Sequence, residues 1–437
     1  MKYDLIVIGG GGAGLASACE ALKYSPSSKV LVISEEKHVA YPRCDLPYLL
    51  FSGKLPSDAG YSRIKNLEIL KGETAKGIDI KNKKVRCSSR EFEYKSLVIA
   101  TGSRVFIPPI PGVESEGVLP FRTLEDFNKL KELLSSAEKI VIVGAGAVGL
   151  ELSENLSEKD YEVTIVEMFS QVLPRALDKD MALPIAKLMT ERGITLRLGE
   201  RVEKIKAEDG RVKSVALGKE EISADVVILA TGVRPNVELA KNAGIEIGKT
   251  GGIKTNPRME TNIKNVFAAG DCAENIHFLT KEPYLGLLGS SAYKQGKVAG
   301  INAVGGDLHY EGIINPLIMK VFDFEIGSVG LNEEEARKRY GECIITKATT
   351  DEKALFNDGF TTVKLIATKE GRIVGCQMIG KRIPPKIDML SIAIKKGVTV
   401  EELMLHETSY APILTVQISA ITLAADVAWK RIIRRRR

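Results

Sequence analysis

A chain of 437 residues, 44% hydrophobic and 27% charged, has the make-up of a folded globular protein and is too long for one ordinary core. Its net charge of +6 is matched by the six cations Lys430, Arg431 and Arg434 to Arg437, so the body of the chain is formally balanced and gives no reason to expect nucleic acid as a partner. No apolar run approaches the ~20 residues that cross a bilayer, and six scattered cysteines with no C-x-x-C pair, beside four unclustered histidines, argue against structural zinc and a disulfide scaffold.

Met1-Lys2-Tyr3-Asp4 leads straight into an apolar strand over 3–9, so no signal peptide is expected and a cytoplasmic location follows. A helix pattern from Gly14 to Tyr24 and a strand over 30–34 complete a β-α-β unit. Lys95 to Ser103 predicts a strand that ends in Ala100-Thr101-Gly102. Pro108, Pro109 and Pro111 mark a crossover. A second β-α-β unit follows, with strands over 139–144 and 162–167 around a helix over 148–158. It has its own strand ending in Ala-Thr-Gly, from Asp225 to Gly232. A further strand and small turn run from Asn265 to Asp271. From residue 316 the pattern changes. Ile326–Leu331 and Thr362–Ala367 alternate, helices are expected over 332–339 and 387–396, and no glycine fingerprint occurs. The basic tail reads as a solvated, frayed terminus, with a patch for nucleic acid or anionic lipid as the alternative.

The expected fold class is α/β: two doubly wound Rossmann-like nucleotide-binding domains and a C-terminal α+β domain. Residues 1–113 and 248–314 would form the first, 114–247 the second and 315–437 the third.

Each doubly wound unit carries a glycine fingerprint between strand and helix. The first is Gly9-Gly10-Gly11-Gly12-Ala13-Gly14, the second Gly144-Ala145-Gly146-Ala147-Val148-Gly149. The first glycine makes the tight turn, the second lets backbone approach a pyrophosphate, and the third lets helix pack on strand. An acidic residue follows each by about twenty residues, as a ribose diol requires. Glu167 is that residue in the second unit. Met168 follows it rather than an arginine, which favours NADH and leaves NADPH open. In the first unit Glu35 is the preferred acceptor and Glu36 its rival.

Cys44 lies in Tyr41-Pro42-Arg43-Cys44-Asp45-Leu46-Pro47-Tyr48. Position 49 is leucine and no cysteine follows before Cys87, so a redox partner for this sulfur must come from outside the chain. The thiolate is the reactive form of cysteine. Arg43 is adjacent, and a helix start at Leu46, with Pro47 in its first turn, would also favour the anion. Of the other cysteines only Cys272, beside Asp271, is placed near a nucleotide segment.

Both fingerprints, both Ala-Thr-Gly strands, Val233-Arg234-Pro235-Asn236 and Ala269-Gly270-Asp271 together resemble the flavoprotein disulfide reductase family over nearly the whole chain. The resemblance implies FAD in the first unit and NAD(P)H in the second. It implies that Asp271 binds the flavin's ribityl chain, that Glu151 lies near the flavin–nicotinamide junction and that 315–437 is a dimerisation domain. Gly9, Gly11, Gly12, Ala13, Gly14, Glu35, Arg43, Ala100, Thr101 and Gly102 would join Asp271 at FAD. Gly144, Gly146, Gly149, Glu151, Glu167 and Gly232 would serve the nicotinamide nucleotide.

Cys44-Asp45-Leu46-Pro47-Tyr48 resembles the single-cysteine branch: coenzyme A disulfide reductases, NADH oxidases and NADH peroxidases. Tyr410-Ala411-Pro412 resembles a motif of the coenzyme A disulfide reductases whose tyrosine reaches the partner subunit's active site, which implies a homodimer with a shared site. That group has a second tyrosine in the stretch matching 345–365, where Phe356 is the nearest candidate here, and a second proline where Ile413 stands. Gly12 occupies the place of a histidine that the peroxidases, and many oxidases, carry, which disfavours a peroxidase. His406-Glu407-Thr408 resembles the His-x-Thr of two-cysteine reductases, so His406 and Tyr410 are both candidates to protonate a leaving thiolate.

The acceptor stays open between a small disulfide (coenzyme A included), a persulfide or polysulfide, and O2 with a cysteine sulfenic acid. A reductase of a small iron–sulfur protein and a non-catalytic flavin sensor are the readings from other classes. Arg63, Lys65 and Lys71 could hold the phosphates of coenzyme A or form a solvated basic face.

Overall fold

The computed structural model describes residues 2–39, 41–54 and 64–436. They gather into two compact units. The first comprises Met1–Phe106, Arg122–Asn128 and Gly232–Ile313; the second comprises Ile107–Phe121, Lys129–Thr231 and Ile314–Arg437. The segment 232–247, expected with the second nucleotide domain, packs in the first unit, where Ala240 and Ile245 are core residues. The cause is local: strand Val233–Pro235 pairs antiparallel with Ser103–Val105.

The first unit is built on parallel strands in the order Leu67–Lys71, Val30–Ser34, Lys2–Ile8, Glu91–Ile99, with Val266–Ala268 beside Glu91–Ile99. Strands Lys84–Arg86 and Gly77–Asp79 continue it antiparallel. Leu5, Ile6 and Val7 are fully buried, as expected of a strand covered on both faces. Helix Gly12–Tyr24 packs on helix Gly289–Ala303 at the distance that glycine permits. A Cβ at Gly296 would stand 2.3 Å from the Ala13 carbonyl oxygen, and one at Gly300 2.0 Å from that of Ser17. Because the chain order reverses at Lys2–Ile8, four strand C-termini lie side by side: those before Gly9, Glu35, Ala100 and Ala269. In open α/β sheets that edge is where ligands bind.

His277 is buried in this unit, and its Nδ1 accepts from the N–H groups of Leu279 and Thr280, each at 3.3 Å. Burial lowers its pKa from 6.5 to about 4. The unfolded chain therefore binds the proton first, and stability is lost as pH falls from 6.5 toward 4. The full shift is worth at most about 3 kcal/mol. Thermal midpoints followed through this window should fall more steeply in the native protein than in His277→Asn, which keeps an acceptor but does not titrate. Parallel curves would assign the loss to other groups.

The second unit holds a parallel sheet ordered Thr195–Leu198, Glu162–Glu167, Lys139–Val143, Val226–Leu229, Val118–Pro120. A five-stranded antiparallel sheet follows, ordered Leu317–Val321, Phe324–Gly330, Ile373–Gly380, Phe360–Thr368, Cys343–Asp351. The expected helices form as Glu333–Tyr340, with an Asn332/Glu335 capping box, and Ile383–Lys396. Burial is unbroken from Val363 to Thr368 rather than alternating, because helices Glu333–Tyr340 and Ala420–Arg436 both contact that strand.

That last helix corrects the expectation of a frayed tail. Ala424, Ala425, Ala428 and Ile432 are buried, and Arg435 pairs with Glu342 at 2.7 Å. The small residues let the helix lie close on strand Cys343–Asp351, and of the basic tail only Arg437 lies outside the described residues.

Lys364 ties the parallel sheet's flank to the antiparallel sheet. Its Nζ meets Asp180 at 2.8 Å, Glu333 at 2.9 Å and Asp178 at 3.0 Å, with a side chain only 5% exposed. Burial works against its charge, but hydrogen bonds to the three carboxylates win and hold its pKa above the usual lysine value. Lys364→Met leaves three carboxylates, two of them part-exposed, without their shared buried cation and should cost about 1–3 kcal/mol in urea unfolding. An unchanged midpoint would mean that solvent already screens the cluster.

Candidate functional site

At the C-terminal edge of the first sheet, Gly9 and Gly14 are demanded by sterics. A Cβ at Gly9 would stand 2.1 Å from the Ala100 carbonyl oxygen, and one at Gly14 1.9 Å from that of Gly9. Gly11 and Gly12 face open space instead: a Cβ at either would meet nothing within 4 Å. Gly11 caps helix Gly12–Tyr24 without a side-chain bond, and no acidic residue sits in the first turn. Its leading N–H groups thus meet no competing side chain, and the donor set fits a pyrophosphate. The second fingerprint repeats each point. Gly149 is forced by the Gly144 carbonyl oxygen at 2.1 Å, Gly146 is open, and helix Ala147–Ser157 has neither side-chain cap nor first-turn acid.

The acidic residues are distributed unequally. Glu35 is exposed at the end of its strand. Glu36 is already engaged: it pairs with Arg43 and accepts from the Tyr41 hydroxyl. Of the two candidates, Glu35 is thus the one not engaged by Arg43 and Tyr41. Glu167 is buried, and its two oxygens accept from the N–H groups of Ala145 at 2.8 Å and Phe169 at 2.9 Å. It braces its own fingerprint and keeps one lone pair per oxygen for a ribose hydroxyl. Glu151 lies half-buried in the second turn of helix Ala147–Ser157.

Ala100 and Thr101 close the same edge. The Thr101 hydroxyl donates to the Asn236 carbonyl at 2.6 Å, and the Asn236 side chain donates back to the Thr101 carbonyl at 3.0 Å. Gly102 and Gly232 accept from the backbone N–H groups of Asn236 and Phe106. The two Ala-Thr-Gly segments thus end on the paired strands Ser103–Val105 and Val233–Pro235. Asp271 follows Gly270, and its Oδ2 accepts from the Ser103 hydroxyl at 2.8 Å and the Arg122 guanidinium at 2.7 Å. Arg122, Ser103 and Asn236 were not foreseen as site residues. Arg122 is 149 positions from Asp271, and no local pattern links them.

Cys44 is exposed, in a single helical turn Arg43–Asp45. A helix does start at Leu46 with Pro47 in its first turn, but it runs only to Leu49. Four residues make a weak dipole, and Arg43 spends charge on Glu36, so both expected sources of thiolate stabilisation are smaller than the sequence implied. Burial acts against the Arg43 charge, yet the Glu36 carboxylate keeps its pKa above the usual value. Cys272 is fully buried, its thiol lies 3.4 Å from the Ala269 carbonyl oxygen, and burial pushes its pKa up, as befits an inert thiol. Lys65 and Lys71 are exposed, and Arg63 lies outside the described residues.

In the second unit His406 and Tyr410 stand on an exposed stretch after helix Val400–Leu405, with Tyr410 52% exposed. Phe356, 84% exposed, belongs to a loop held to that stretch: Leu355 N–H donates to the Pro412 carbonyl at 2.8 Å. Among the described residues no helix is long and apolar enough to cross a membrane, and no group of three or more His, Cys, Asp or Glu is placed to hold a metal ion.

Two dinucleotide cradles on separate parallel sheets, followed by a distinct α+β domain, define a two-nucleotide oxidoreductase. Residues 3–312 match the pyridine nucleotide-disulphide oxidoreductase family, and residues 317–420 match that family's dimerisation domain. The chain belongs to this family. Its members depend on FAD and use NAD(P)H, and this protein is an FAD-dependent NAD(P)H oxidoreductase. Among its relatives, an NADH oxidase of Methanocaldococcus jannaschii is 39% identical over 98% of this chain and 99% of that protein. An NAD(P)H coenzyme A polysulfide/persulfide reductase of Pyrococcus horikoshii is 32% identical over 94% of this chain and 95% of that protein. A solved NAD-dependent persulfide reductase from A. fulgidus matches with a TM-score of 0.93 at 34% identity, over 99% of this chain and 83% of that one.

Proposed function

We propose that the protein reduces a low-molecular-weight disulfide, persulfide or polysulfide with NADH, using Cys44 as its one redox-active sulfur. The observation that carries this reading is the exposed Cys44, one residue from an arginine anchored at the end of strand Val30–Ser34, with no second cysteine in its segment. The Pyrococcus relative acts on sulfur substrates by name, and the A. fulgidus enzyme on persulfide.

Gly11, Gly12, Ala13, Glu35 and Asp271 would hold FAD; Gly146, Glu151 and Glu167 would hold NADH. Bound FAD supplies a hydride acceptor and a source of two electrons for sulfur. Cys44 starts as a mixed disulfide with a small thiol. Two electrons and one proton break that bond, release the thiol and leave the Cys44 thiolate. The thiolate then attacks a new disulfide, forming the mixed disulfide again and expelling the second thiolate, which takes up a proton. NADH, one proton and one disulfide thus yield NAD+ and two thiols. Tyr410 or His406 of a second copy would give the proton to the leaving sulfur. The exposed Leu355, Phe356, Tyr410, Ile413, Leu414 and Ile418 on two linked loops support a homodimer through this face.

Reduction of O2 is the second reading, and the M. jannaschii relative favours it. NADH oxidation should be measured anaerobically with coenzyme A disulfide, coenzyme A persulfide and polysulfide, and aerobically with none. Turnover with a sulfur acceptor at least about tenfold above that with O2 is expected. Fast O2 consumption, stoichiometric with NADH, would replace the sulfur reading by the oxidase.

A further inference from the structure

The carboxylate of Asp271 is not presented bare. Two donors converge on one of its oxygens: Arg122 Nη2 donates to Oδ2 at 2.7 Å, and Ser103 Oγ donates to the same atom at 2.8 Å. Among the described residues this leaves Oδ1 uncommitted. The guanidinium is fixed in turn, since Arg122 Nε donates to the Ser103 carbonyl at 2.8 Å. Its backbone is fixed as well. Asp126 accepts from the N–H groups of Arg122 and Thr123 at 2.9 and 2.8 Å, and the Tyr41 hydroxyl accepts from Leu124 N–H at 3.2 Å. The Gly270 N–H donates to Gln295 Oε1 at 2.8 Å, which pins the turn from the other side. Residues 122–128 belong to this unit although the chain on both sides of them leaves it. Their return delivers one cation to one carboxylate at the edge where the sheet's strands end.

We propose that Arg122 is a positioning residue for the flavin: it turns Oδ1 of Asp271 toward the ribityl chain and offsets the carboxylate's charge beside the flavin. This rests on the reading that Asp271 binds FAD. A rigid, single-faced acceptor binds a hydroxyl without losing rotamer freedom on the way. An uncompensated carboxylate would disfavour the extra negative charge of reduced flavin, so the arginine should raise the flavin's midpoint potential.

The test uses the full chain as Arg122→Met, Arg122→Lys and Asp271→Asn, with FAD affinity read by fluorescence titration and midpoint potential by spectroelectrochemistry. Arg122→Met is expected to raise the FAD dissociation constant about tenfold and to move the potential to more negative values. Arg122→Lys should recover part of both, and it serves alone if the methionine variant does not fold. Weaker FAD binding with an unmoved potential would mean a merely structural arginine and would overturn the proposal. So would native affinity and potential in both arginine variants when Asp271→Asn binds FAD poorly. Native FAD affinity in Asp271→Asn would instead overturn the assignment of Asp271 itself.

Discussion

Replacing Cys44 by serine should abolish sulfur-dependent NADH oxidation, lowering kcat with any disulfide by at least about 10³-fold, as expected when a covalent nucleophile is removed. A hydroxyl is not ionised near neutral pH and cannot form the mixed disulfide that the cycle requires. The side chain is exposed and its turn is held through Arg43–Glu36, so the substitution should leave fold and FAD content intact. NADH should still bleach the flavin in a single turnover. The measurement is steady-state turnover beside anaerobic reduction of the same preparation. A variant that bleaches and also turns over with disulfide at the native rate would remove Cys44 from the mechanism and leave electron transfer to a protein acceptor as the better reading. Intact mass of the native protein checks the same point: a thiol adduct should be present and should be absent from Cys44→Ser.

The second large effect separates two roles within one fingerprint. Gly14→Ala places a methyl group 1.9 Å from the Gly9 carbonyl oxygen, a backbone atom that cannot step aside. Helix and strand must part, and a loss of more than about 3 kcal/mol is expected, with FAD lost as a consequence. Gly11→Ala places the same methyl group in open space. The apo-protein should keep its unfolding midpoint, while FAD affinity falls about 100-fold because the methyl group blocks approach to the pyrophosphate. Urea unfolding of both apo-proteins and FAD titration of Gly11→Ala make the comparison. Unaltered FAD binding in Gly11→Ala would place the pyrophosphate elsewhere.

The fingerprints were legible in the sequence because their requirement is local: strand, forced turn and helix follow one another directly, from Lys2 to Tyr24 and again from Lys139 to Ser157, and the forced turn positions tolerate little but glycine. Glu167 was singled out for the same reason, though its hold on the Ala145 N–H was not foreseen. Between Glu35 and Glu36 the sequence could not choose, since the choice depends on where Arg43 and Tyr41 turn back. Arg122 was out of reach, as its meaning exists only once Asp271 has folded beside it. The tail misled because charge was read without periodicity: Ala424, Ala425, Ala428 and Ile432 make a buried stripe at helical spacing beneath the arginines. The pairing of Val233–Pro235 with Ser103–Val105 was not foreseen, because so short a strand does not announce its partner.

The close seating of helix Gly289–Ala303 on helix Gly12–Tyr24, with strand Val266–Ala268 completing the same sheet, bears on how the protein is made. The first fingerprint leaves the ribosome early, but the elements that buttress it are synthesised some 250 residues later. The nascent chain must hold an unfinished sheet edge exposed for most of translation, a state that invites chaperones and misassociation. Flavin capture is therefore a late event in biosynthesis. A growing chain arrested anywhere before residue 300 carries the nucleotide signature without the scaffold that makes it a nucleotide site.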